Sequence, residues 1–135
     1  MIKPDGVSRG LIGEIIKRYE QKSLHLSRIK FINADRELAE KHYMQHKGKD
    51  FYEKLVEFIT SGTVLAMVVQ GENVIQIIRK LNGATRVEDA LPGSIRGDYA
   101  TSTTMNVIHC SDSVETAEKE IELWFGSSTE TAGRH

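Results

Sequence analysis

Apolar residues recur along this chain at helical and extended spacings that alternate from one segment to the next. Leu11, Ile12, Ile15, Ile16 and Tyr19 predict an amphipathic helix over about residues 10–22. Ahead of it, Pro4 and Asp5-Gly6 are turn chemistry, so Ile2-Lys3 reads as the end of a strand. Leu24, Leu26, Ile29 and Ile32 mark a second extended segment. Asp35 is placed to cap a short helix carrying Leu38, Ala39, His42 and Tyr43, and Asp50 with Glu53 to cap another over Phe51, Leu55, Val56, Phe58 and Ile59. Ser61-Gly62 ends that helix. Thr63 to Gln70, almost wholly apolar, predicts a strand buried on both faces. Val74, Ile75, Ile77, Ile78 and Leu81 form a further helix stopped by Asn82-Gly83. Ala84 to Thr104 shows no clear period and reads as a long loop of the kind that carries function. It runs into Met105, Val107 and Ile108, a strand ending at His109. Asp112 and Ser113 then look like N-caps, Asp112 pairing with Glu115, for a helix through Val114, Ala117, Ile121, Leu123 and Trp124.

The resulting βαββαβ skeleton predicts an α+β fold, a ferredoxin-like sandwich with a four-stranded antiparallel sheet and helices packed on it. Residues 1–125 read as a single domain and the small polar stretch 126–135 as a flexible tail. The 135 residues carry a formal net charge of −1, which offers no basic surface for nucleic acid or an anionic membrane. The longest apolar run, Val64 to Val69, is far too short for a membrane span. The single cysteine, Cys110, excludes an internal disulfide framework and suits a reducing compartment, so a cytoplasmic location is expected.

The candidate chemistry gathers at Asn106-Val107-Ile108-His109-Cys110-Ser111-Asp112-Ser113. A histidine at a strand-to-helix junction lies beside free N–H groups and the positive end of a helix dipole, a setting suited to phosphate. Glu120, in the second turn of the following helix, can return to brace the imidazole. Spacing alone leaves this reading open against a histidine simply satisfied by a strand end. Lys3, Arg79 and Arg96 are the cations placed to converge near His109, as a polyphosphate requires, although most lysines and arginines are solvated surface. Neither the Gly-x-x-x-x-Gly-Lys-Ser/Thr loop nor the Gly-x-Gly-x-x-Gly turn occurs. His42 and His46 sit at i, i+4 without a third ligand nearby in sequence, which favours helix-face histidines over a metal site.

Several segments together resemble the nucleoside diphosphate kinases: Ile2-Lys3-Pro4-Asp5-Gly6-Val7, Arg9 to Ile15, His42-Tyr43, Pro92 to Tyr99, and Asn106-x-Ile108-His109-x-Ser111-Asp112-Ser113 followed by Glu118-x-Glu120-Ile121. The resemblance spans roughly Ile2 to Phe125. It implies a ping-pong transfer of the γ-phosphate from a nucleoside triphosphate, typically ATP, to a nucleoside diphosphate through a phosphohistidine matching His109. In that resemblance Lys3 and Arg96 match residues around the transferred phosphate, and Arg79 and Thr85 those holding the inner phosphates. Tyr43 matches a tyrosine beside the imidazole, Asn106 and Lys3 the ribose 3′-hydroxyl contacts, and Phe51 the ring stacked on the base. Glu120 and Ser111 match the pair that orients the histidine, and His46 a phosphate-side histidine found in some members. The family also implies Mg2+ carried on the nucleotide phosphates and a homo-oligomer, a hexamer or tetramer. Three departures stand out: Cys110 replaces a usual glycine, little chain precedes Ile2, and a Ser/Thr/Gly tail follows Phe125 where family chains usually continue. The expectation from the last two is a shortened central strand and less certain subunit packing. An inactive nucleotide-binding protein on the same fold, or a phosphohistidine carrier serving another protein, are the competing readings.

Overall fold

Strand β2 (Val64–Gln70) sends alternate side chains into two cores. Leu65 packs with Ile2, Ile15, Tyr19, Leu24, Ile95, Val107 and Ile108 on one side. Val64 and Ala66 pack with Ala39, Tyr43, Val56, Ile59 and Trp124 on the other. Burial on both faces holds for the first half of the strand, and its last residue, Gln70, is exposed. A computed structural model describes residues 1–126. The expected flexible tail lies, from residue 127 on, outside the described residues. In chain order the other elements are α1 (Pro4–Ser8), α2 (Ile12–Gln21), β1 (His25–Ile32), α3 (Arg36–His42), α4 (Tyr52–Ile59), α5 (Val74–Asn82), α6 (Ile95–Tyr99) and α7 (Val114–Phe125). Among these residues no helix is long and apolar enough to cross a membrane.

The class is α+β, and the regular sheet among the described residues has two strands. β1 and β2 make one antiparallel ladder, from His25↔Gln70 to Ile32↔Val64, with an irregularity between Leu26 and Arg28. Ile2 contributes single antiparallel bridges to Leu65 and to Ile108. Four extended segments therefore lie side by side in the order β1, β2, Ile2, Ile108, and the last two are reduced to one bridging residue each. The cause is local. Pro4 opens α1 directly after Lys3, as proline favours at a first helical position. Val107, at φ 75°, breaks the extended chain immediately before Ile108.

Other expectations shift at element ends. Pro4-Asp5-Gly6 is the first turn of α1 rather than a plain turn. A Cβ on Gly6 would come within 2.6 Å of Ile2 Cγ2, so the close helix–strand approach requires glycine there. Asp50 does not cap α4. Phe51 occupies the cap position, where its ring has no polar atom to bond the first turn, and Glu53 bonds Arg36 instead of closing a capping pair. The stretch read as a loop contains a 3-10 turn, Val87–Asp89, and α6, which Ser94 caps through Gly97 N at 3.0 Å. Ser113 alone caps α7, its Oγ accepting from Thr116 N at 3.1 Å.

Candidate active site

The short pairings around Ile2 align two key positions. Ile2 bridges Ile108, which sets Lys3 and His109 on adjoining segments beside one cleft of about 840 Å³. α3 brings His42 and Tyr43 to it, the start of α4 brings Phe51, the end of α5 Arg79, α6 Arg96 and α7 Glu120. Of the residues singled out from sequence, Lys3, Tyr43, Phe51, Arg79, Thr85, Arg96, Asn106, His109 and Glu120 line this cleft. Ser111 does not. It lies behind Glu120, facing a smaller chamber of about 140 Å³ on the other side of His109.

The backbone at Asn106–Ile108 is strained. Ile108 N bonds Asn106 O at 2.8 Å around Val107 at φ 75°, a γ-turn of the unfavourable hand on a β-branched residue. Such a conformation costs on the order of 1–3 kcal/mol and persists only where neighbours over-determine it. Here Asp5 Oδ2 accepts from Val107 N at 3.1 Å, and Lys3 N donates to Val107 O at 2.8 Å. The turn aims Asn106 inward, where its Oδ1 accepts from Lys3 Nζ at 2.8 Å and its Nδ2 donates to Thr85 O at 3.2 Å.

The cations at this inner end have no ion-pair partner among the described residues. Lys3 and Arg96 are each only 6% exposed. Arg96 donates to two carbonyls, Gly83 O at 2.8 Å and Ile108 O at 2.6 Å, and its Nε has no partner among the described residues. Burial, and then repulsion from Arg96, lowers the Lys3 ammonium to about 8. Burial likewise lowers Arg96. Among the described residues neither cation, nor Arg79, forms an ion pair. Two buried positive groups on an open cleft, without carboxylate partners, make a site for an anion.

His109 is braced from the other side. Glu120 Oε2 lies 3.0 Å and Oε1 3.2 Å from His109 Nε2, while Ser111 Oγ donates to Glu120 Oε1 at 2.5 Å. A carboxylate only accepts, so Nε2 carries the ring hydrogen and Nδ1 keeps its lone pair. Burial lowers the His109 imidazole, against the opposing pull of Glu120, so the ring is neutral near pH 7. Burial alone would raise Glu120, but the hydrogen bonds from His109 and Ser111 outweigh it and hold the carboxyl at about 2.

His42 belongs to this site, contrary to its reading as a helix-face residue. Its ring lies 4.6 Å from that of His109, its Nδ1 accepts from Trp124 Nε1 at 3.1 Å and sits 3.5 Å from Glu120 Oε2. Burial, then repulsion from His109, lowers it to about 3, so it is neutral. Its neighbours come from α7, beyond any local spacing signal. Asp5 was also missed as more than turn chemistry, although an aspartate directly after a strand-end Lys-Pro was the available hint. Toward the mouth, Tyr43 is raised by burial and then by Glu120, and its hydroxyl bonds no described side chain. Phe51 is 44% exposed, 5.2 Å from the His46 ring.

The sequence profile described as nucleoside diphosphate kinase matches residues 1–129. A nucleoside diphosphate kinase of Caldanaerobacter subterraneus is 61% identical over 125 residues, covering 93% of this chain and 90% of that protein. One from Staphylococcus epidermidis is 56% identical over 128 residues, covering 95% and 86%. Among solved structures, the nucleoside diphosphate kinase of Encephalitozoon cuniculi superposes with a TM-score of 0.91 at 48% identity, covering 93% of this chain and 86% of that one. That of Halobacterium salinarum in complex with CDP gives 0.89 at 48% identity, covering 93% and 84%.

Proposed function

The chain belongs to the nucleoside diphosphate kinase family and catalyses transfer of the γ-phosphate of a nucleoside triphosphate to a nucleoside diphosphate, and we propose that it does so through Nδ1 of His109. The observation that carries this assignment is a neutral imidazole, held through Nε2 by Glu120 at 3.0 Å, beside two buried cations without acidic partners. Nδ1 attacks the γ-phosphorus in line. The N–P bond forms as the bond to the bridging oxygen breaks, and the nucleoside diphosphate leaves with the electron pair. The ring becomes cationic on phosphorylation, and the Glu120 carboxylate, kept ionised by Ser111, offsets that charge. A second diphosphate then enters and its terminal oxygen takes the phosphoryl group, restoring neutral His109.

Lys3 and Arg96 neutralise the oxygens of the group in flight, and Arg79 and Thr85 hold the inner phosphates. Asn106, tied to Lys3 at 2.8 Å, faces the ribose 3′-hydroxyl with it. Tyr43 offers its hydroxyl beside the reacting imidazole. Phe51 stacks on the base from the cleft mouth, and stacking without base-edge readout tolerates any base. Mg2+ arrives on the nucleotide phosphates as part of the substrate. In support, the acidic residues lining the cleft are Glu120, already committed to His109 and Ser111, and Asp112, which is too few for an oxygen cage. The CDP held by the Halobacterium salinarum relative supports a diphosphate as second substrate.

The same reading extends to the whole chain. Residues 1–125 act as one domain, the side-by-side order of β1, β2, Ile2 and Ile108 is that of a ferredoxin-like sheet, and the protein works as a cytoplasmic homo-oligomer, a tetramer or hexamer. The exposed Ile29 and Phe31 on β1 support self-association. The test of the reaction is incubation with γ-labelled ATP and magnesium, followed by GDP. The chain should take up acid-labile label and pass it to GDP, and His109→Asn should do neither. Nucleotide binding without label would leave a binding module in place of the proposed route.

A further inference from the structure

The braced imidazole is also one corner of a cluster with metal-ligand geometry. One ligand atom each from His42, His109 and Glu120 lies within 4.8 Å of the others. Glu120 Oε2 is the shared vertex, 3.0 Å from His109 Nε2 and 3.5 Å from His42 Nδ1. Tetrahedral zinc with bonds of 2.0–2.1 Å separates its ligand atoms by about 3.3 Å. Ser111 occupies the other carboxylate oxygen, Oε1, which leaves Oε2 turned toward both rings. Both imidazoles are neutral, so neither needs to lose a proton before binding. Two nitrogens and one carboxylate oxygen suit Zn2+ and not Mg2+, which takes oxygen ligands in an octahedron. The cluster can be reached from two sides, since these residues line both the nucleotide cleft and the smaller chamber behind it.

We propose that His42 Nδ1, His109 Nε2 and Glu120 Oε2 form a zinc site that switches the kinase off. This rests on His109 being the nucleophile. Metal capture at Nε2 needs the lone pair there, so the single ring hydrogen moves to Nδ1, the nitrogen that must attack. No proton is gained or lost overall, and the ring is left without a nucleophilic lone pair facing the phosphate. The converse also holds. A phosphoryl group on Nδ1 leaves the ring cationic with its hydrogen on Nε2, so zinc must displace that proton to reach Nε2 and binds the phosphorylated chain more weakly. Zinc binding and phosphorylation therefore oppose one another at a single imidazole.

His42 Nδ1 currently accepts from Trp124 Nε1 at 3.1 Å, and Trp124 is the single tryptophan of the chain. Zinc at Nδ1 displaces that indole donor, so Trp124 emission reports occupancy independently of activity.

The experiment is equilibrium dialysis of the full chain with Zn2+, read alongside Trp124 fluorescence and uptake of γ-labelled phosphate. The unmodified chain should bind one zinc, shift its emission and lose phosphate uptake as zinc rises. The chain phosphorylated beforehand and freed of nucleotide should bind zinc at this site more weakly. His42→Gln should weaken binding by more than the ~10–100-fold typical of losing a partner outside the ligand set. Cys110→Ser, which removes the adjacent thiol as a rival ligand, should bind as the unmodified chain does. Equal zinc affinity in His42→Gln, equal affinity in the phosphorylated chain, or loss of binding in Cys110→Ser would each overturn the proposal. If the metal-free chain takes up no label, the nucleophile assignment fails. The zinc site itself is then still decided by the His42→Gln and Cys110→Ser dialysis.

Discussion

At the inner end of the cleft Lys3, Asn106 and Arg96 are 6%, 1% and 6% exposed and tied to one another or to backbone carbonyls of neighbouring segments. At the mouth, Phe51 is 44% exposed, and Arg79 makes no side-chain hydrogen bond or ion pair among the described residues. The inner end carries buried positive charge and a strained turn at Val107, both unfavourable without a ligand. The mouth carries almost no such cost. The contrast matches the division of labour in phosphoryl transfer. The reacting group needs groups fixed in advance of its arrival, whereas a base of any identity needs only a surface to lie on.

Substitutions at the two ends should therefore fail in different ways. Lys3→Gln should give the largest effect, a fall in kcat of roughly 10²–10³-fold, the size seen when one preorganised donor to a transition-state charge is removed. Steady-state kinetics with saturating ATP and GDP would check it, and a change confined to KM would place Lys3 with the mouth. Glu120→Gln should lower kcat by about 10–100-fold, because the amide holds the ring but no longer offsets its charge on phosphorylation. Single-turnover labelling would show the loss in the first half-reaction.

The pH profile sharpens the same contrast. Lys3, lowered to about 8, loses its charge as pH rises through that value, so kcat/KM should decline on the alkaline side near pH 8. Bound phosphate favours the charged ammonium, which moves the corresponding limb of kcat to higher pH. His109 is lowered by burial, so the acidic limb should lie below the ordinary histidine value of 6.5. A profile flat from pH 7 to 10 would detach Lys3 from the reaction. The smallest effect is expected at the mouth. Phe51→Ala should raise KM for every nucleotide to a similar degree, by the ~1–3 kcal/mol of a lost base stack, with kcat little changed. A selective effect on one base would mean that the mouth reads base edges after all.

A second comparison lies in the fold itself. The β1–β2 ladder follows from two apolar runs that are each long enough to pair along most of their length. Ile2 and Ile108 sit beside it as single bridges, since a proline and a positive φ cut both segments short. Extended patterning is visible in sequence, but the number of ladder bonds that survive depends on backbone geometry next to the pairing residue.

Local spacing was sufficient for what local physics controls. The helical periods fixed α2, α5 and α7, Ser113 announced its cap, and the strand-to-helix junction with an acid in the second helical turn pointed to His109 and Glu120 as a pair. α6 escaped because Ile95 and Tyr99 span barely one turn, too short for a period to register. What only the tertiary structure decided depends on contacts between distant residues: Lys3 against Asn106, 103 positions apart, and Trp124 against His42, 82 apart. The same is true of the shared Glu120 oxygen that turns His42 from a helix-face residue into a member of the site. Spacing along a chain constrains neighbours within a turn or two, whereas a charge loses its counter-ion, or an imidazole finds a second partner, only when the packing of separate elements excludes water and brings them together.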